Sequence, residues 1–204
     1  MSQREEILAY LEAAYHPTAI LLYGSFAAGM NDETSDFDCM VIVPEKTVDH
    51  DAGLVAGVQL DCYLFTEEEV EVGDPQLYLT AYDSVIVRDN GVGERLKARV
   101  RRYVEENTVS PPEEKAFLRG WIQKTLRRVQ KGDEEGGYRA VMLLAESLED
   151  YCTLRDRFYF GSKKAARLLQ AEDPQGYALF RAAVRERTDE AIARWEQYII
   201  GEKE

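Results

Sequence analysis

The sequence predicts an α+β protein: a small mixed β-sheet flanked by helices over residues 1–107, followed by a helical bundle over residues 113–204. Three observations carry that expectation. Apolar runs of strand length, at residues 18–23, 36–43, 58–65 and 84–88, all fall before Asp89. Asn107-Thr108-Val109-Ser110-Pro111-Pro112 combines turn formers with a double proline and reads as a linker. Beyond it the apolar residues recur only at helical spacing.

Each element follows in turn. Residues 3–15 carry Ile7, Leu8, Leu11 and Ala14 on one helical face, and His16-Pro17 ends that helix. Residues 18–23 form the first strand and 26–30 a short helical link. Residues 36–43 form the second strand, stopped by Pro44, and 45–54 read as a polar connection. In 58–65, Val58, Leu60, Cys62 and Leu64 alternate with Gln59, Asp61, Tyr63 and Phe65, the pattern of a strand with one buried face. Residues 67–82 are mixed, with a break or helix start at Asp74-Pro75. A strand at 84–88 closes in the turn Asp89-Asn90-Gly91, and a helix is expected over 94–106.

After the linker, helices are expected at 113–131, 138–158, 163–172 and 174–200, which suits an antiparallel bundle. Gly132 and Gly136-Gly137 separate the first two. Val141, Leu144, Ala145, Leu148 and Cys152 form the expected buried stripe of the second helix. Glu146, Glu149 and Asp150 share its opposite face.

Composition narrows the function classes. The net charge is −13, and phosphate backbones are bound through Lys and Arg, so a nucleic-acid partner is not expected. A cationic small substrate suits this charge better. Three cysteines cannot all pair. Cys39 and Cys62 fall on core strands, which points to reduced thiols in the cytoplasm. Residues 2–6 lack the basic-then-apolar pattern of a leader, and no apolar run reaches membrane-spanning length, so no membrane partner is expected. His16 and His50 stand in separate contexts and suggest no metal or triad constellation.

The chemistry concentrates in one stretch. Leu21-Leu22-Tyr23-Gly24-Ser25 sets a glycine-serine turn after a strand, and Ser35-Asp36-Phe37-Asp38 opens the next. Asp36 and Asp38 project from one face of that strand. At ~5 Å and an effective dielectric of ~20 their repulsion costs on the order of 3 kcal/mol, which a cation or solvent must relieve. Hard oxygen donors favour Mg²⁺ or Mn²⁺. Asp61 stands on the other face from Val58, Leu60, Cys62 and Leu64. Were its strand to pair beside that of Asp36 and Asp38, three carboxylates would converge on a metal site, although the register is not readable from sequence.

Gly24-Ser25, Gly29, Ser35, Asp36-x-Asp38 and the later strand residue Asp61 together resemble the polymerase-β-type nucleotidyltransferase superfamily. Among its members, the small bacterial enzymes that modify aminoglycoside or lincosamide antibiotics look closest in size and in having a helical second domain. The resemblance implies an antibiotic-resistance type of activity: magnesium-dependent, ATP-binding transfer of a nucleoside monophosphate, AMP foremost, onto a hydroxyl of a small acceptor. It implies that Gly24 and Ser25 hold the triphosphate and that Asp36, Asp38 and Asp61 hold two Mg²⁺ ions. Asp61 would also activate the acceptor hydroxyl. A helical-domain carboxylate, here Glu146, would serve the acceptor. An alternative in the same superfamily is an antitoxin-like nucleotidyltransferase that binds or modifies a protein partner. A homodimer whose cleft is completed by a second subunit is compatible with either reading.

Overall fold

The structure, a computed structural model, describes residues 2–201 and falls into two compact units, Met1–Val104 and Glu105–Glu204. In the first unit α1 (Gln3–Tyr15) starts at Ser2, whose hydroxyl accepts from the Glu5 amide while the Glu5 carboxylate accepts from the Ser2 amide. His16, in the left-handed region at φ 47°, ends it.

β1 (Ala19–Leu22) leads through α2 (Gly24–Ala28) to β2 (Phe37–Val43). Next come β3 (His50–Asp51), β4 (Leu54–Val55) and β5 (Val58–Thr66). The unit closes with α3 (Glu67–Val72), a 3₁₀ turn at Pro75–Ala81, β6 (Val85–Asp89) and α4 (Val92–Glu106). The sheet is mixed, with strand order β3-β5-β2-β1-β6 and β4 also on β5. β1 runs antiparallel to β2 and β6, whereas β2 and β5 are parallel.

One sheet face packs Ile20, Leu22, Phe37, Cys39, Val41, Leu60, Cys62 and Leu64 against Ile7 and Leu11 of α1. Burying each such aliphatic side chain stabilises by roughly 1.5–3 kcal/mol, which makes this layer the unit's main anchor. Cys39 and Cys62 are register partners within it, their sulfurs 2.8 Å apart as free thiols. The hydrogen bond between them and their burial push the Cys39 thiol up.

The polar connection expected over 45–54 instead carries two strands. Val55-Ala56-Gly57-Val58 makes a two-residue hairpin with Ala56 at φ 51° and Gly57 at φ 77°. Two successive left-handed residues match the twist of the flanking strands. The signal was weak because β3 and β4 hold only four residues, three of them exposed or polar.

The second unit holds five helices among the described residues: α5 (Pro112–Val129), α6 (Glu134–Leu154), α7 (Ser162–Glu172), α8 (Pro174–Glu186) and α9 (Asp189–Ile200). The single helix expected over 174–200 is broken where Arg187 takes a left-handed conformation and the Thr188 hydroxyl caps α9. α6 starts earlier than expected, because Asp133 accepts from the Gly136 amide and draws Gly136-Gly137 into its first turn. Trp195 is fully buried at the centre, against Tyr151, Phe180 and Tyr198. Asp173 ties this cluster by accepting from the hydroxyls of Tyr151 and Tyr198.

The buried side of α6 differs from the expected stripe. Ala140, Leu143, Ser147, Leu148, Tyr151, Cys152 and Leu154 are buried, while Val141 is 64% exposed. Helices α5, α7 and α9 all pack against α6, which widens its buried arc and carries Asp150 into it.

Candidate active site

Antiparallel pairing of β1 with β2 places the end of one beside the start of the other, with Leu22 opposite Cys39. The Gly-Ser turn leaving β1 therefore arrives at Asp38. The Tyr23 amide donates to the Asp38 carbonyl at 3.1 Å. Gly24 has φ +67°, and a Cβ there would lie 2.0 Å from Asp38 Oδ2. Only glycine permits this backbone to lie against the carboxylate. Gly29, also left-handed at φ 64°, closes α2. The half-buried Ser25 hydroxyl makes no side-chain hydrogen bond among the described residues.

Asp61 joins from β5. In the parallel register Asp38 lies directly opposite Asp61, so their side chains share the sheet face away from α1. Asp36 lies one residue before β2 and is exposed. Among the described residues no group of three or more carboxylates, histidines or cysteines is gathered closely enough to hold a metal. The parallel register thus sets Asp38 beside Asp61. The loop before Asp36 is stiffened by Asp32, which accepts from the Thr34 amide and from the hydroxyls of Thr34 and Ser35. Asp32, Glu33, Ser35, Asp36 and Gln59 line a cavity of about 590 Å³.

Two neighbours were not expected from sequence. His50 Nε2 lies 2.7 Å from Asp61 Oδ1, and its ring stacks on Tyr63 with centroids 4.4 Å apart. β3 sets His50 opposite Tyr63 and diagonal to Asp61, a pairing that its place in the sequence did not show. Tyr23 is the second. Burial, then the charges of Asp61 and Asp38 among its neighbours, push its phenol up, so it stays a neutral donor. A tyrosine ahead of a Gly-Ser turn was the only sequence signal.

The carboxylate pair suits a hard divalent cation, since its donors are oxygens and Gly24 crowds one side of Asp38. Such a pair beside a glycine turn can hold a cation and a phosphate chain together.

The helical unit shows a different carboxylate group. Glu146 and Glu149 are exposed on α6, whereas Asp150 is 8% exposed and Glu196 of α9 is 0% exposed. Among the described residues both Glu196 oxygens and Asp150 Oδ2 lack a hydrogen-bond partner. The expected single acidic surface is therefore split. Burial, then the charges of Glu146 and Glu149, push Asp150 up to about 7. Burial, then Asp150 and Glu146, push Glu196 well above the usual carboxylate range.

A family model described as "Nucleotidyltransferase domain" matches residues 4–127. No curated protein matches the sequence. Among solved structures, a nucleotidyltransferase-like protein from Exiguobacterium sibiricum 255-15 is similar at 14% identity and a TM-score of 0.40, over 97% of this chain and 73% of that one. The chain belongs to the nucleotidyltransferase domain family, and such a domain implies a nucleotide substrate.

Proposed function

We propose that the protein transfers a nucleoside monophosphate, AMP from ATP foremost, to a hydroxyl of a small cationic acceptor of the aminoglycoside type, with Mg²⁺. The observation that carries this reading is the Asp38–Asp61 pair across two parallel strands, with the Gly24 backbone against one carboxylate. Asp38 and Asp61, with the exposed Asp36 two residues before Asp38, would hold the metal. When bound, it would neutralise phosphate charge and acidify the attacking hydroxyl.

The chain's own groups have separate tasks. Gly24 and Ser25 offer backbone amides and a hydroxyl to the triphosphate. Asp61 orients the acceptor hydroxyl and takes its proton. Tyr23, neutral and half-buried, donates to a phosphate oxygen. Glu146, exposed on α6, serves as the acceptor-side carboxylate. The cationic acceptor is supported by charge: residues 1–104 hold 19 Asp and Glu against 8 Lys and Arg. Such a surface attracts cations and repels anions.

Calorimetry with ATP in EDTA and then in Mg²⁺ tests the nucleotide half. Binding should require the metal, and equal affinity in both conditions would sink the reading. Labelled ATP with a panel of aminoglycosides, lincosamides and protein acceptors tests the other half. Glu146→Gln should weaken acceptor use and leave Mg·ATP affinity alone. Labelling of a protein alone would transfer the assignment to the antitoxin-like alternative.

A further inference from the structure

The helical unit holds a concentration of positive charge that the net charge conceals. α5 and α6 form a hairpin joined by residues 130–133, and a cavity of about 380 Å³ opens beside that turn. Trp121, Lys124 and Arg128 lie at i, i+3 and i+7 on α5 and share a face. Lys131 stands in the turn, and Glu135 and Arg139 project from successive turns of α6. With Arg127, five cations line the cavity against one carboxylate.

The pairing inside this group leaves charge over. Arg128 takes Asp133 at 2.7 and 2.9 Å and Glu135 at 2.6 Å, which uses both nearby carboxylates on one guanidinium. Arg139 reaches Glu135 only at 3.8 Å. Among the described residues Lys124 and Arg127 have no ion-pair partner, and Lys131 is balanced only at longer range by Asp133, which Arg128 already holds. Uncompensated cations around a concave wall repel one another and raise the local concentration of anions. The half-buried indole of Trp121 supplies a flat apolar side.

We propose that this cavity binds a small phosphate-bearing ligand with a planar ring, of nucleoside monophosphate size, its ring against Trp121 and its phosphate among Lys124, Lys131 and Arg139. The volume falls in the range of small-molecule sites, roughly 300–1,000 Å³. Phosphate oxygens take charge-assisted bonds from both arginine and lysine. The site needs no divalent metal and none of the carboxylates of the sheet unit, so it stands or falls apart from the proposed transfer activity.

The test is a fluorescence titration of the full chain with AMP in EDTA, with adenosine and inorganic triphosphate as separate arms. Of the two tryptophans, Trp195 is sealed in the core, so a ligand at the cavity is read by Trp121. AMP should quench saturably, and adenosine should bind at least about tenfold more weakly for want of the phosphate. Inorganic triphosphate should compete with AMP. The double charge reversal Lys124→Glu/Lys131→Glu, at exposed positions, should weaken AMP by about tenfold or more. Trp121→Phe should abolish the signal. Absence of saturable quenching by AMP, or equal affinity in the charge-reversed variant, overturns the proposal. So does loss of AMP binding in Asp38→Asn, which would move the binding to the sheet unit.

Discussion

In the sheet unit 19 carboxylates stand against 8 Lys and Arg, and those at the site stay half exposed and near donors; in the helical unit 19 stand against 17, yet two are sealed in the core with none. Asp51 accepts from the hydroxyls of Tyr10 and Tyr15, Asp61 meets His50, and Lys46 bridges Asp49 and Glu69. Asp150 instead feels the like charges of Glu146 and Glu149, and Glu196 those of Asp150 and Glu146. Overall charge balance therefore says little about where the electrostatic cost lies. A solvated or donor-held carboxylate is available for chemistry, whereas a buried unpaired one keeps its proton.

Removing carboxylates should separate the two units most sharply. Asp38→Asn or Asp61→Asn should lower turnover by at least ~10²-fold with the melting temperature unchanged or slightly raised, because each relieves repulsion across β2 and β5. Asp61→Asn should hold Mg·ATP affinity within a few-fold. Steady-state kinetics beside calorimetry checks both, and loss of folding in either variant would make these residues structural.

Gly24→Ala should combine both kinds of damage. The left-handed backbone costs an L residue roughly 1–2 kcal/mol, and the new methyl must displace the Asp38 carboxylate. Turnover should drop toward the Asp38→Asn level, with a modest fall in stability by urea titration. A variant as active as the parent would show that the close approach is dispensable.

The pH dependence should run in opposite directions in the two units. Below about pH 4 Asp150 and Glu196 are protonated whether the chain is folded or not. As pH rises the unfolded chain releases those protons first, so the helical unit loses stability up to about pH 7 for Asp150, and the raised Glu196 adds a loss of the same sign. For Asp51, burial acts upward, but hydrogen bonds from Tyr15, the Gly53 amide and Tyr10 outweigh it and hold the carboxyl low. Its contribution is present above about pH 4 and is lost on further acidification. Both tryptophans belong to the helical unit, so their fluorescence reports its melting alone. Glu196→Gln should raise that melting temperature by several degrees at pH 8 and barely move it at pH 4. A pH-independent midpoint in the parent chain would remove the contrast between the units.

The smallest effect is expected at His50. His50→Ala frees Asp61 from one contact but leaves the carboxylate in place, so turnover should fall by about tenfold, less than on losing Asp61 itself. A loss equal to that of Asp61→Asn would make the histidine part of the reacting group.

What the sequence determined by itself was local. Strand alternation put Asp61 opposite Val58, Leu60, Cys62 and Leu64, and the order Gly24-Ser25, Asp36-x-Asp38, Asp61 marked the family before any fold was known. Those signals survive because side-chain direction in a strand has a fixed period, and because glycine's freedom at positive φ is a property of one residue. Tertiary structure decided what depends on register and neighbours. Only the parallel pairing of β2 with β5 set Asp38 beside Asp61, and only a four-residue β3–β4 edge brought His50 to it. Only packing from three helices turned Asp150 inward, against its expected place on a solvated face. The net charge of −13 likewise averaged an acidic sheet unit with a helical unit that gathers five cations at one cavity. Composition sums charge over the whole chain, whereas a ligand meets only the few side chains that the fold sets around it.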